Sequence, residues 1–143
     1  MKLTQIFAMS IILIATIYSC KKTDDTVPTT NTPVSKIELL AGTSNKKWNI
    51  TKLYINDTLF PLTEEQLLYT KTYKRDSTFE DTDGIRGKYS ISSDGKYLNE
   101  TETIGGSGTS TYNIINLNSS NLEYRLIYNG TDSLNTRFIF NAK

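Results

Sequence analysis

The chain is predicted to be all-β, with eight antiparallel strands running up and down and closing into a barrel, and a short helix or lid segment after the first strand. Three observations carry this expectation. Short runs rich in β-formers recur from Lys47 to Phe140, several with period-two alternation. Turn signals separate them, among them Asn56-Asp57, Arg75-Asp76, Asp83-Gly84, Asp94-Gly95 and Asn129-Gly130-Thr131-Asp132. No helical pattern is long enough to cover a sheet, so closure into a barrel is the simplest way to hide the edge strands; a two-sheet sandwich is the alternative.

Residues 1–19 have the form of a lipoprotein signal peptide. Lys2 supplies the positive start, and Ile6 to Ile17 is an apolar run of about a dozen residues, short of the roughly 20 needed to span a bilayer. Ile17-Tyr18-Ser19-Cys20 then resembles a bacterial lipobox, and Cys20 is the only cysteine of the chain, so no intramolecular disulfide can form. The placement predicts that the Cys20 thiolate accepts a diacylglycerol. At about 0.8 kcal/mol for each buried methylene, several acyl chains would hold the protein at a membrane. Lys21 resembles the pattern that sorts lipoproteins to the outer membrane, and Lys22-Thr23-Asp24-Asp25 resembles a signal that carries some of them to the cell exterior. The expected localisation is therefore a lipid-anchored outer-membrane protein, with the face it occupies left open. Residues 20–35 hold five Thr and two Pro from Thr23 onward and read as an extended tether, leaving 36–143 as the folded domain.

The whole chain has 16 Lys and Arg against 15 Asp and Glu. Loss of Lys2 with the leader would make the two counts equal, and a neutral domain lacks the basic face of an electrostatic nucleic-acid binder.

Within the domain, Ile37-Glu38-Leu39-Leu40 before Gly42 predicts one turn of helix ended by the glycine. Lys47 to Ile55 is the first strand. Its apolar residues change phase between Trp48/Ile50 and Leu53/Ile55, which predicts a bulge near Lys52. Pro61 stops any strand in the segment Phe60 to Tyr69, where Thr63-Glu64-Glu65-Gln66 matches a capping box and predicts a short helix carrying Leu67 and Leu68. Strands follow at Tyr69 to Lys74 and Ser77 to Asp81. The strongest local signal is the next hairpin, in which Ile85, Gly87, Tyr89 and Ile91 share one face and Ser-Asp-Gly-Lys predicts a tight two-residue turn into a strand running to Thr103. Gly105-Gly106-Ser107-Gly108 is a loop. Thr109 to Leu117 and Leu122 to Tyr128 are the next two strands, and Ser133 to Phe140 closes the domain with Leu134, Phe138 and Phe140 inward.

The Trp opening the first strand, Tyr73-Lys74-Arg75-Asp76-Ser77-Thr78-Phe79, Gly87 to Lys96 and Thr111 to Leu117 together resemble the lipocalin-like domains of bacterial outer-membrane lipoproteins, over roughly Leu39 to Phe140. The resemblance implies the barrel fold. It also implies that Trp48 plugs the closed end under a basic side chain from late in the chain, Arg137 or, in reserve, Arg125.

With no histidine in the chain, a His-based triad or a His-ligated zinc centre is excluded, and Cys20 is assigned to lipid, so no enzyme, metal or cofactor is expected. Glu100 and Glu102, about 7 Å apart on one strand face, have a spacing compatible with glycoside hydrolysis. Their Thr and Asn neighbours place them instead on a solvated outer face. Asp81-Thr82-Asp83-Gly84 resembles the start of a calcium loop without its later ligands and reads as a hairpin turn. Asp25-Thr26-Val27, Asp57-Thr58-Leu59 and Asp132-Ser133-Leu134 resemble an O-glycosylation tripeptide.

Two functions remain. One is a binding module whose barrel mouth holds a small apolar or amphipathic molecule, walled by Trp48, Phe79, Tyr89, Tyr112, Tyr124 and Phe138 and closed by the segment around Phe60 and Leu67. The other is a structural or interaction module with a filled barrel that contacts a protein partner in the cell envelope. A shortage of inward charges is expected in either case.

Overall fold

A computed structural model describes residues 33–127 and 134–143. The expectations for the signal peptide, Cys20, the tether up to residue 32, Tyr128, the Asn129 to Asp132 turn and two of the glycosylation tripeptides fall outside the described residues.

One helix, α1 (Lys36–Ala41), precedes nine strands: β1 (Asn45–Ile55), β2 (Thr58–Phe60), β3 (Thr70–Lys74), β4 (Thr78–Asp81), β5 (Arg86–Ile91), β6 (Tyr97–Ile104), β7 (Thr109–Leu117), β8 (Asn121–Ile127) and β9 (Thr136–Ala142). Every pairing is antiparallel. From β3 to β9 each strand pairs with the next in sequence, and β1 pairs with both β3 and β9. This closes β1 and β3 to β9 into an eight-stranded up-and-down barrel, with β2 as a short ninth strand outside the ring. The sandwich alternative is excluded, because β1 and β9 are hydrogen-bonded over seven register pairs from Trp48↔Ala142 to Ile55↔Thr136.

The alternation that predicted the barrel sets its inside. Gly87 and Tyr89 of β5 are buried between exposed Arg86, Lys88 and Ser90, and Leu122 and Tyr124 of β8 are buried on the same principle. The β1 bulge lies at Thr51, where the register with β9 slips between Ile50 and Lys52. It returns Leu53 to the inner face after Ile50 by inserting one residue, and Thr51 uses its hydroxyl to bond the Ile139 carbonyl at 3.1 Å.

α1 caps one end of the barrel. Ser35 accepts the Glu38 N–H at the helix start, and Gly42 ends the helix at φ 64°, where a side chain would be strained. Leu40 and Ala41 are fully buried beneath it, next to Trp48, whose indole N–H donates to the Leu40 carbonyl at 2.8 Å. Trp48 is thus part of the plug at the closed end.

The cation over its ring is Lys46, 4.3 Å from the ring centroid, with its ammonium donating to the carbonyls of Leu39 and Ser119. Burial lowers the Lys46 pKa. Arg137, expected over Trp48, lies instead over Tyr54 at 4.1 Å and pairs with Glu123, while Arg125 reaches Asp57. The reason is strand parity: Arg137 opposes Tyr54 across the β1–β9 ladder and has the opposite parity to inward Phe138 and Phe140, so it stands outside the wall.

Three local expectations are corrected. The Ser-Asp-Gly-Lys hairpin is longer than a two-residue turn: Ser92 is bonded to Tyr97, Asp94 accepts from the Ser92 hydroxyl and the Lys96 N–H, and only Gly95 has positive φ, at 71°. The two-residue turn is at Asn56-Asp57, with φ 51° and 60°, and it folds β2 back onto β1 as a strand additional to the eight expected. Leu134 is exposed before β9 begins, because the strand starts at Thr136 and runs past Phe140 to Ala142.

Candidate functional site

The barrel opens at the end away from α1, and the divided pairing of β1 shapes that mouth. The first half of β1 pairs with β3 through Asn45 to Asn49, whereas Leu53 to Ile55 pair with β2. β1 and β3 therefore part above Asn49, and residues 61–69 cross the gap. The capping box forms as expected: the Thr63 N–H donates to Gln66 Oε1 at 2.9 Å and the Gln66 N–H to the Thr63 hydroxyl at 3.2 Å. It nucleates a single 3-10 turn, Gln66–Leu68, and Asn49 fixes that turn by donating its side-chain amide to the Leu67 carbonyl at 3.0 Å.

Beneath this segment is a cavity of about 510 Å3. Ile50, Leu53 and Phe138 form its barrel wall and Leu62, Leu68 and Tyr69 its lid side, while Glu65, Gln66, Thr82 and Asp83 supply its polar edge. A groove of about 290 Å3 lies alongside, between Thr51 and Lys52 of β1 and the residues Leu59, Phe60, Pro61, Leu62 and Leu67. Leu62 lines both spaces.

The expected wall is distributed over the barrel. Phe138 lines the cavity, and Phe60 and Leu67 line the outer groove. Tyr112 and Tyr124 pack beside Phe138 with their rings tilted or edge-on, with ring centroids 4.5 Å apart from each other and 6.4 and 5.5 Å from Phe138. Phe79 and Tyr89 pack on Tyr73 in the core at 6.2 and 5.1 Å. Trp48 is at the closed end. Ile50, Leu53, Leu62 and Leu68 join the wall because aliphatic side chains, and not only the expected aromatic ones, face this space, and Tyr69 joins it at the point where the lid segment enters β3.

Polar chemistry in the lumen is the larger departure. Glu100 is 3 % exposed and Lys71 6 %, and their side chains meet at 2.7 Å. Tyr73 donates its hydroxyl to the other Glu100 oxygen. Glu100 and Glu102 share the parity of buried Leu98, so the expectation of an outer face for this pair is overturned, with Glu100 buried and Glu102 half-buried, and so is the expected shortage of inward charge. Lys71 also lies 5.1 Å from the Phe79 ring centroid, so the ammonium is held between a carboxylate and an aromatic face.

Burial first, and then the Glu100 charge, push the Tyr73, Tyr124 and Tyr112 hydroxyls above the ordinary phenol range. All three therefore stay protonated and able to donate. Burial, followed by the Asp81 carboxylate 3.0 Å from its hydroxyl, does the same to Tyr69. Asp81 also accepts the N–H groups of Asp83 and Ile85, so the sequence that resembled a calcium loop works as a hairpin turn whose carboxylate is occupied by the chain itself.

No known family matches the chain, and no curated protein matches it.

Proposed function

We propose that the chain is a membrane-anchored, lipocalin-like lipoprotein whose barrel binds a small apolar or amphipathic molecule in the mouth. The observation that carries this reading is the 510 Å3 cavity under residues 61–69, a volume in the range that encloses small ligands, with aliphatic and aromatic walls and a few polar groups at one edge. The packed core below sets its floor, and the Tyr69 hydroxyl, already committed to Asp81, leaves shape and apolar contact as the main source of affinity.

Native mass spectrometry of the protein taken from its own membrane, with organic extraction of what accompanies it, tests the reading. A bound small molecule is expected. The neutral dye N-phenyl-1-naphthylamine should also bind saturably, and Leu53→Trp, which fills the cavity from β1, should weaken it at least about tenfold, equivalent to 1.4 kcal/mol. Equal binding by a folded Leu53→Trp variant would place the dye elsewhere.

A second reading, an envelope interaction module, is supported by the exposed apolar side chains Leu59, Phe60 and Leu67 along the outer groove. Absence of any co-purifying molecule together with no dye binding would favour it. Anchoring is common to both readings. Metabolic labelling with a fatty acid is expected to mark the wild-type protein and to leave Cys20→Ala unlabelled; equal labelling would remove the lipid from the proposal.

A further inference from the structure

We infer that the mouth cavity selects amphiphiles whose polar end is a cation, an inference that rests on the binding reading above and adds the charge of the ligand to it. The two segments that border the cavity, residues 61–69 and the turn between β4 and β5, contain acids and no Lys or Arg. Glu64, Glu65, Asp81 and Asp83 stand at the mouth, in the segment before β3 and in the turn between β4 and β5.

The cavity itself is more one-sided than the mouth. Glu65 and Asp83 are its ionisable acids, and no Lys or Arg lines it. Neither acid has an ion-pair partner among the described residues. The basic groups nearby in the fold are otherwise placed: Lys71 is held by Glu100 in the lumen, Arg86 points outward beside Glu80, and Lys52 lines the outer groove. Asp81, immobilised by Tyr69 and two backbone N–H groups, adds a third carboxylate behind Tyr69. An amphiphile seated with its chain against Ile50, Leu53, Leu68 and Phe138 would bring its polar end to this edge. A carboxylate head would there face like charges with no cation to offset them, whereas an ammonium head would meet two unpaired acids.

Displacement of N-phenyl-1-naphthylamine from the full chain by dodecylamine, dodecanol and dodecanoate, each below its aggregation concentration, isolates the head group at constant chain length. Dodecylamine is expected to displace the dye at a concentration roughly five- to tenfold below dodecanol, with dodecanoate the weakest, and the advantage should shrink at high salt. In Glu65→Gln/Asp83→Asn the ratio of amine to alcohol affinity should fall to within about twofold of unity. Dodecanoate binding as well as the amine, or an amine advantage that survives the double substitution, overturns the inference. If dodecanol binds and the amine holds no advantage, charge selection alone falls. If neither the dye nor any of the three binds, the binding reading has failed and this inference falls with it.

Discussion

Replacing Glu100 by Ala is expected to destabilise the domain by about 3–5 kcal/mol, a large share of the roughly 5–15 kcal/mol that holds a domain of this size together. The loss comes less from the missing attraction than from what is left behind. Lys71 would be left in the lumen, 6 % exposed, with Phe79 and Tyr112 rings around it and its paired carboxylate gone. Tyr73 would keep a fully buried hydroxyl with its acceptor gone. Lys71→Ala should cost a similar amount by stranding the carboxylate instead. Removing all three groups together, as Lys71→Met/Glu100→Leu/Tyr73→Phe, should recover most of the loss, because apolar side chains of similar volume leave nothing unpaired. Urea unfolding of the four proteins measures this as a strongly non-additive set. Single variants that unfold within about 1 kcal/mol of wild type would mean that water reaches the pair.

The same residues show why the barrel was legible in the sequence and its lumen was not. Strand positions followed from local alternation and turn chemistry, both of which act within about ten residues; Ile85, Gly87, Tyr89 and Ile91 could be assigned inward on sight. β6 offers no such contrast. Leu98 is its sole aliphatic residue before Ile104, and both faces of Asn99 to Thr103 are polar, so period two says which residues go together and not which way they point. The deciding partner, Lys71, is 29 residues earlier and separated from β6 by two intervening strands of the wall, and only closure brings it across the lumen. Parity with Leu98 was the one signal that could have placed Glu100 inside.

The mouth was partly legible for a related reason. The lid segment was marked by Pro61 and by the capping box, and both local predictions hold in the hydrogen bonds of Thr63 and Gln66. The cavity beneath it depends on β1 exchanging β3 for β2 as its partner, a consequence of the Asn56-Asp57 turn folding three residues back onto Leu53, Tyr54 and Ile55. Its walls are therefore residues near that exchange, Ile50, Leu53 and Tyr69, and the aromatic residues lower in the barrel fill space instead of lining it. Arg137 followed the same logic: an analogy at the level of the fold was decided by a parity that the two alternating faces of β9 already contained.

Gly87→Ala is expected to be the most damaging of the glycine substitutions, at about 3 kcal/mol or more, because its difficulty is space and the neighbours that close the space are rigid. Gly87 faces the lumen on β5 just after the register with β6 slips, pairing with Glu102 where Arg86 pairs with Ile104. A Cβ there would stand 2.1 Å from the Thr101 carbonyl oxygen and 2.8 Å from the Phe79 ring. The first contact is backbone of the adjacent strand, so relief requires β5 and β6 to separate, and the second presses on a ring packed against Tyr73. Two other glycines separate crowding from backbone conformation. Gly84 has open space around it and φ +85°, so its replacement by Ala should cost only the left-handed strain of about 1–2 kcal/mol. Gly108 has open space and no positive φ, so Ala there should be neutral or stabilising by up to about 1 kcal/mol through the unfolded chain. Thermal unfolding should rank the three in that order, with Gly87→Ala lowering the midpoint by on the order of 15 °C for a domain of about a hundred residues. A Gly87→Ala protein as stable as Gly108→Ala would show that β5 and β6 do not approach this closely, and with it that the lumen beside Phe79 is wider than the packing around Glu100 requires.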